Sequence, residues 1–433
     1  MPVSPARKGH QIMRPFFILW TGQALSLLGT QAVQFALIWW LTVETGSATV
    51  LATASLFGLA PQIVAGPFIG SLVDRWNRKT VMFAADALAA LASLVLAGLF
   101  VTGTASVAAV FGLLLVRSIC EAFHAPAILA STSLMVPDEH LTRIQGLNQM
   151  LQGSLLIITA PLGALLYASM SMGNVMLVDV GTAAFALVAL VLIHVPQPER
   201  STATTDKPSV WRDTMYGLRY LRSRPGHPTL LVLSLLVNLC LVPAFAMMPL
   251  LIKEWGAGAM QLGWMNSSLG IGMIAGGIVL GVWGGFKTKI YTTLLGLMAV
   301  GLATIAMGAV PPSALYGIAA IFAVGVAVPI ANGPIQAVLQ ATVAPEIQGR
   351  IFTLYGSLAG LSAPAGLVLA VPIAEGLGIR MTYWCSGLLC CLLALGAWFV
   401  PALLSIEQRP DSEPEKTDAV NGDTVHGASY EKA

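Results

Sequence analysis

The stretch "GSLVDRWNRKT", Gly70 to Thr80, sets five charged or strongly polar side chains between two long apolar runs. Arg75, Arg78 and Lys79 are basic, Asp74 is acidic and Asn77 is neutral. The surrounding chain of 433 residues is 56% apolar and only 10% charged. Soluble domains carry about 25% charged residues, so this composition suits a solvent other than water. Apolar runs of about 20 residues are long enough to cross a bilayer as helices. The joint therefore reads as a loop between two crossings, and the fold class as an all-α integral membrane protein in the cell membrane.

Twelve such runs are predicted, near 15–42, 49–72, 79–102, 105–134, 142–168, 172–195, 228–252, 258–285, 289–309, 313–341, 348–373 and 379–404. The breaks between them are polar or rich in Pro and Gly, as in "VPDEH" and "APEIQG". The longest break divides the runs six and six. It gives an N-terminal segment 1–14, a six-helix bundle 15–195, a linker 196–226, a second bundle 227–405 and a tail 406–433. Within the linker, Trp211, Met215, Leu218 and Leu221 share one helical side and Arg212, Arg219 and Arg222 lie elsewhere. That is the pattern of a helix lying on a membrane surface.

The bases set the orientation. With the N-terminus inside, 19 of the 22 Lys and Arg fall in cytoplasmic segments. Only Lys253 and Arg380 face outward, and Arg117 lies within a span. This is a strong positive-inside asymmetry, so both termini are expected in the cytoplasm. The first run is too long for a signal peptide and is expected to stay attached. The tail after Ile406 carries seven acids against three bases and is expected to be disordered. Cys120, Cys240, Cys385, Cys390 and Cys391 all fall within apolar runs without metal-ligand spacing, and read as small buried hydrophobes.

The two sets of six are related in sequence. "APAILASTSLMVPDEHLTRIQGL" (125–147) aligns with "GPIQAVLQATVAPEIQGRIFTL" (333–354), placing Pro126 on Pro334, Pro137 on Pro345 and Arg143 on Arg350. Pro161 in "TAPLGALL" then meets Pro364 in "SAPAGLVL". Even the joint has a faint counterpart in "GGFKTKI", 284–290. A duplication of this kind implies two parallel six-helix bundles with a substrate site between them near the membrane middle.

The joint itself resembles the G-x-x-x-D-R-x-x-R-K signature between helices 2 and 3 of the major facilitator superfamily. "GQALSLLG" (22–29), "TGSATVL" (45–51), "AADALAAL" (84–91) and Arg117 in span 4 are similar to the drug:proton antiporter branch, above all its macrolide-efflux and siderophore-exporter group. The resemblance implies the major facilitator fold of twelve helices and a proton-coupled exporter of amphiphilic small molecules. It further implies that Asp74 clamps the positive N-terminal end of span 11, near Arg350, when the cytoplasmic side is shut. Gly70, Arg75, Arg78, Lys79 and Asp86 complete that gate. Pure topology control by the bases stands as the alternative, since each base costs about 2.5–3.5 kcal/mol to carry into the membrane.

Ionisable groups inside spans are functional suspects. Arg117, Glu121 and His124 in "RSICEAFHAP" recur at i, i+4 and i+7 and share one face. Two readings are open: a structural Arg117–Glu121 pair, or Glu121 as proton carrier tuned by Arg117, a role the family associates with an arginine at this place. His124 reads as a packed helix-end residue, Asp86 as a partner of the joint, and Asp179 as structural. Gln23, Thr30 and Gln34 form one stripe in span 1. In the family's fold, spans 1, 4, 7 and 10 line the cavity, which makes Gln23, Gln34, Asn238 and Asn332, with Tyr355 of span 11, the candidate substrate contacts. Each serves equally well as interhelical glue. Phe245, Met247, Met248 and Trp264 would supply adaptable apolar walls.

Other motifs are weak. "GIGMIA" (270–275) fits a dinucleotide pattern, but no acid occurs between Glu254 and Glu346 to hold a ribose. Gly272 and Gly276 suit a helix-packing face instead. The sequence holds no phosphate loop for ATP, no zinc-protease motif and no nucleophile elbow, so an enzyme is disfavoured. No cofactor, metal or nucleic acid is expected; the expected partners are the lipid bilayer, a small molecule and protons, and the expected state is a monomer. Siderophore or lysophospholipid transport is the alternative within the class, and a non-transporting receptor the alternative outside it.

Overall fold

The computed structural model describes residues 5–73, 76–197, 226–309, 313–343 and 345–407, with isolated positions between 215 and 222. It is helical, and no strand occurs among the described residues. The first six helices are α1 (Pro5–Thr45), α2 (Ala48–Val73), α3 (Arg78–Val101), α4 (Val107–Met135), α5 (Asp138–Ser169) and α6 (Met172–Leu192). The next are α7 (His227–Ala246), α8 (Met248–Glu254), α9 (Ala259–Trp283), α10 (Lys289–Ala309) and α11 (Ala314–Thr342). Last come α12 (Pro345–Leu377), α13 (Ile379–Trp398) and α14 (Pro401–Leu404). Among the described residues, eleven helices are long and apolar enough to cross a bilayer, and the described apolar part of α2 is Ala48–Leu59. The chain is a multi-pass membrane protein.

Local chemistry explains the breaks. Asn77 ends the joint by accepting a hydrogen bond from the Thr80 amide, and Ser106 does the same for Ala109 at the start of α4. The predicted run 228–252 divides into α7 and α8 at Met247, because Pro249 lacks an amide hydrogen and starts a new first turn. In the other direction, α1 extends back to Pro5, well before the predicted boundary at 15, since Pro15 is tolerated within the helix. Most of the linker and the tail beyond 407 lie outside the described residues, and with them the surface helix expected there.

Helices α1–α6 pack chiefly on one another, as do α7–α14. Between these two groups the contacts run mainly through α2 against α12 and α5 against α9. The apolar cores show where the groups meet. One cluster, around Phe16, Leu19, Met82 and Ile144, lies wholly in the first group near the chain termini. Another, around Leu230, Ile290, Leu339 and Ile351, lies wholly in the second. At the opposite end a single cluster unites Trp39, Ala48 and Ala164 with Met247, Leu251 and Met265. The two groups are thus joined on the side far from the termini. Met247 and Met248, expected as cavity walls, are buried in this far-side seal, with Phe245 packed against it.

Small residues permit the closest crossings. A Cβ on Gly272 would strike Phe322 and Gly325, and one on Gly276 would strike Val326, so α9 and α11 approach backbone to backbone. Gly277, one position on, faces open space. Gly276→Leu should therefore destabilise the fold by about 1–3 kcal/mol while Gly277→Leu is nearly neutral. Thermal unfolding of the purified variants, followed by loss of the monodisperse species, checks this; equal behaviour of the two would refute the crossing.

Candidate functional site

A cavity of about 420 Å³ lies within the first helix group, walled by α1, α3, α4, α5 and α6. Trp20, Gln23, Asp86, Glu121, His124, Asn148 and Gln152 line its half nearer the termini, and Thr30, Arg117 and Asp179 lie deeper. Periodicity explains the convergence. Asp86 stands eight residues from the start of α3 and Glu121 fourteen from that of α4. At 1.5 Å per residue from opposite ends, these rises bring both into the middle third of the bundle.

The deepest element is an ion pair. Arg117 Nη1 lies 3.2 Å from Asp179 Oδ2, and both side chains are buried. Thr30 Oγ1 donates to Asp179 Oδ1 at 2.8 Å and Ser93 Oγ to Oδ2 at 2.6 Å. Arg117 Nη2 donates to the Thr30 carbonyl at 3.1 Å. One carboxylate on α6 thereby gathers donors from α1, α3 and α4. The expected Arg117–Glu121 pairing is corrected: the guanidinium reaches across to α6, because a charge buried this deeply requires an equally buried partner. Glu121 is exposed and lines the cavity instead.

A second cluster sits nearer the termini. Gln23 Nε2 donates to Asp86 Oδ2 at 2.9 Å, and His124 Nε2 stands 3.4 Å from Asp86 Oδ1. Among the described residues, then, Asp86 meets α1 and α4 and not the charged joint, from which it is about 12 Å along the helix. His124, expected as a packing residue, faces this carboxylate across the cavity. Trp20 Nε1 donates to Asn148 Oδ1 at 2.8 Å and closes the wall between α1 and α5.

The remaining candidates lie apart from the cavity. Tyr355 bonds Ser234 Oγ and donates to the Leu230 carbonyl at 3.1 Å, fastening α12 to α7. Asn238 donates within α7 to Ser234. Gln34 and Asn332 are exposed on α1 and α11 and are not among the cavity residues. Spans 1 and 4 line this cavity together with α3, α5 and α6. In the joint, Lys79 Nζ donates to the Ile193 carbonyl at 2.6 Å, placing a cation at the carboxyl end of α6. The Arg78 amide donates to Gln197 Oε1 at 3.1 Å. Asp74 and Arg75 lie outside the described residues, and Gly70 and Arg350 are placed only as backbone of α2 and α12.

The Major Facilitator Superfamily family model matches residues 19–356 and 243–427. The chain belongs to the major facilitator superfamily. It is 34% identical over 382 residues to macrolide efflux protein A of Streptococcus pyogenes, covering 88% of this chain and 94% of that one. It is 27% identical over 383 residues to the multidrug efflux pump Tap of Mycolicibacterium fortuitum, covering 85% and 91%. A nucleoside transporter crystal structure superposes with a TM-score of 0.69 at 12% identity, covering 88% of this chain and 98% of that one. The superfamily's helical architecture therefore extends over the whole described bundle, and the chain is a membrane transporter with efflux relatives.

Removing one member of the buried pair, by Arg117→Met or Asp179→Asn, should cost about 3–5 kcal/mol of stability, because the other charge is stranded. The double variant Arg117→Met/Asp179→Leu should recover much of that loss. Unfolding temperatures of the three variants measure the coupling; strict additivity would show that the pair contributes nothing as a pair.

Proposed function

We propose that the chain exports amphiphilic, macrolide- or drug-like small molecules by proton-coupled alternating access between two six-helix bundles, through twelve spans and as a monomer. One observation carries the reading: a cavity with titratable walls, inside an apolar bundle, on the termini side of a protein whose far side is joined. The distribution of bases supports termini in the cytoplasm, and the cavity then faces the compartment from which an exporter loads. The efflux names of the relatives support the same direction.

In this reading Gln23 and Trp20 contact the substrate, and Asp86, His124 and Glu121 exchange protons with the cavity. Arg117, with Asp179, holds the scaffold behind them. Asn238 and Tyr355 serve helix packing, while Gln34 and Asn332 are left for contacts made in the other access state. Asp74, with Gly70, Arg75, Arg78 and Arg350, forms the cytoplasmic latch, anchored through Lys79 on the end of α6. Each proton descending the membrane potential supplies about 2.3 kcal/mol per 100 mV, enough to drive uphill export when protons and substrate are exchanged.

Efflux of a macrolide and of a fluorescent amphiphile from cells expressing the full chain tests this. Export should stop with an uncoupler and fall below about a tenth of wild type in Asp86→Asn, with insertion preserved. Glu121→Gln should flatten the dependence on external pH. Undiminished export with the uncoupler present would remove protons from the mechanism, and no export of either compound would remove the efflux reading itself.

A further inference from the structure

The far side carries two cross-group charge contacts that the cavity does not use. Lys253, at the end of α8, donates from Nζ to the Thr42 carbonyl at 2.9 Å and to the Val43 carbonyl at 3.0 Å. These carbonyls belong to the last turn of α1, where helical partners run out. Glu375, near the end of α12, accepts through Oε1 from the Thr49 amide at 3.2 Å. The same oxygen accepts from Thr49 Oγ1 at 2.7 Å and from Ser47 Oγ at 3.3 Å. That is the first turn of α2, where amide hydrogens are unsatisfied.

The α1–α2 turn of the first group is therefore held at both ends by the second. Each charge has the sign that its helix end attracts: a cation at the carboxyl end of α1 and an anion at the amino end of α2. Gly46 makes the grip possible. It turns with φ +60°, and a Cβ there would stand 3.1 Å from the Lys253 ammonium. The two gripping residues belong to the same group, where Arg380 Nε also meets Glu254 Oε1 at 3.0 Å and links the end of α8 to the start of α13. Below the grip, the seam between the groups is close. A Cβ on Gly263 would meet Pro161, one on Gly270 would meet Ile157, and Ser267 Oγ bonds the Ile157 carbonyl.

We infer that Lys253 and Glu375 are the outer gate of the transport cycle, positioning residues that hold the outside shut while the inner cavity is loaded. The inference rests on the alternating-access reading above. Opening the outer side separates Lys253 from α1 and Glu375 from α2 together, since both pairs span the same boundary. All four polar ends are then taken up by water. Glu44, in the last turn of α1 and next in sequence to Val43, is exposed.

Hydrogen exchange on the full chain in lipid nanodiscs, without substrate, tests the gate. In Lys253→Met and in Glu375→Gln, amides of residues 42–52 and 258–268 should exchange roughly three- to tenfold faster than in wild type. Residues 13–27, on the inner side, should exchange no faster, because outer opening accompanies inner closing. Lys253→Arg and Glu375→Asp should stay near wild type. Outer segments at the wild-type rate would overturn the gate. So would equal acceleration of the inner segment, which marks general loosening, or a Lys253→Arg variant as fast as Lys253→Met. No transported compound enters this measurement, so failure of the efflux assay and failure of the gate are separate results.

Discussion

A carboxylate carried into the middle of an apolar bundle is the constraint from which the rest of the architecture follows. Asp179 cannot be left alone there, and its demands are met from three directions at once: Thr30 on α1, Ser93 on α3 and Arg117 on α4. Those bonds fix the rotation of four helices about their axes. Once they are fixed, Gln23, Asp86, Glu121 and His124 have no choice but to face the cavity. The buried pair thus supplies orientation rather than net stability, which an apolar replacement would equal or exceed.

Neutralising Arg117 within the scaffold has an electrostatic consequence for the cavity. The cation nearest Glu121 along α4 is already engaged by Asp179, while Asp86 in the same cavity is met by Gln23 and His124. In the proposed cycle, a change of charge at Glu121 leaves the Arg117–Asp179 pair intact. A site in which Arg117 paired with Glu121 would instead couple every protonation event to the packing of the bundle.

Much of this was legible in the sequence, and the limits have physical causes. The apolar runs, the joint at 70–80, the Gly272 and Gly276 packing face and the suspect acids all follow from periodicity and composition, because lipid punishes misplaced polarity severely. Partner choice was harder. Arg117 and Glu121 share a face at i, i+4, and that local rule hid the competitor on α6. Depth would have exposed it: Asp179 lies about 10 Å, and Arg117 about 15 Å, from the same end of the bundle, as their helix positions already imply. The role of Lys253 and Glu375 was out of reach, since their partners, backbone carbonyls for one and an amide and two hydroxyls for the other, lie more than 200 residues away. Asn238 and Tyr355, proposed as substrate contacts through the resemblance, bond within α7 and between α7 and α12, while Asn332 on α11 is exposed.

The contrast between the two kinds of charge contact explains how one bundle can be both firm and mobile. Arg117 and Asp179 are buried, so separating them would strand two charges in a medium that cannot solvate them, and the contact is permanent. Lys253 and Glu375 are exposed, so whatever they release on separation is replaced by water at little cost. The far-side seam combines the apolar cluster of Trp39, Met247, Leu251 and Met265 with close glycine contacts, Gly263 on Pro161 and Gly270 on Ile157. In the proposed cycle the exposed contacts part and meet again, while the ion pair inside the first group keeps its cavity walls in register.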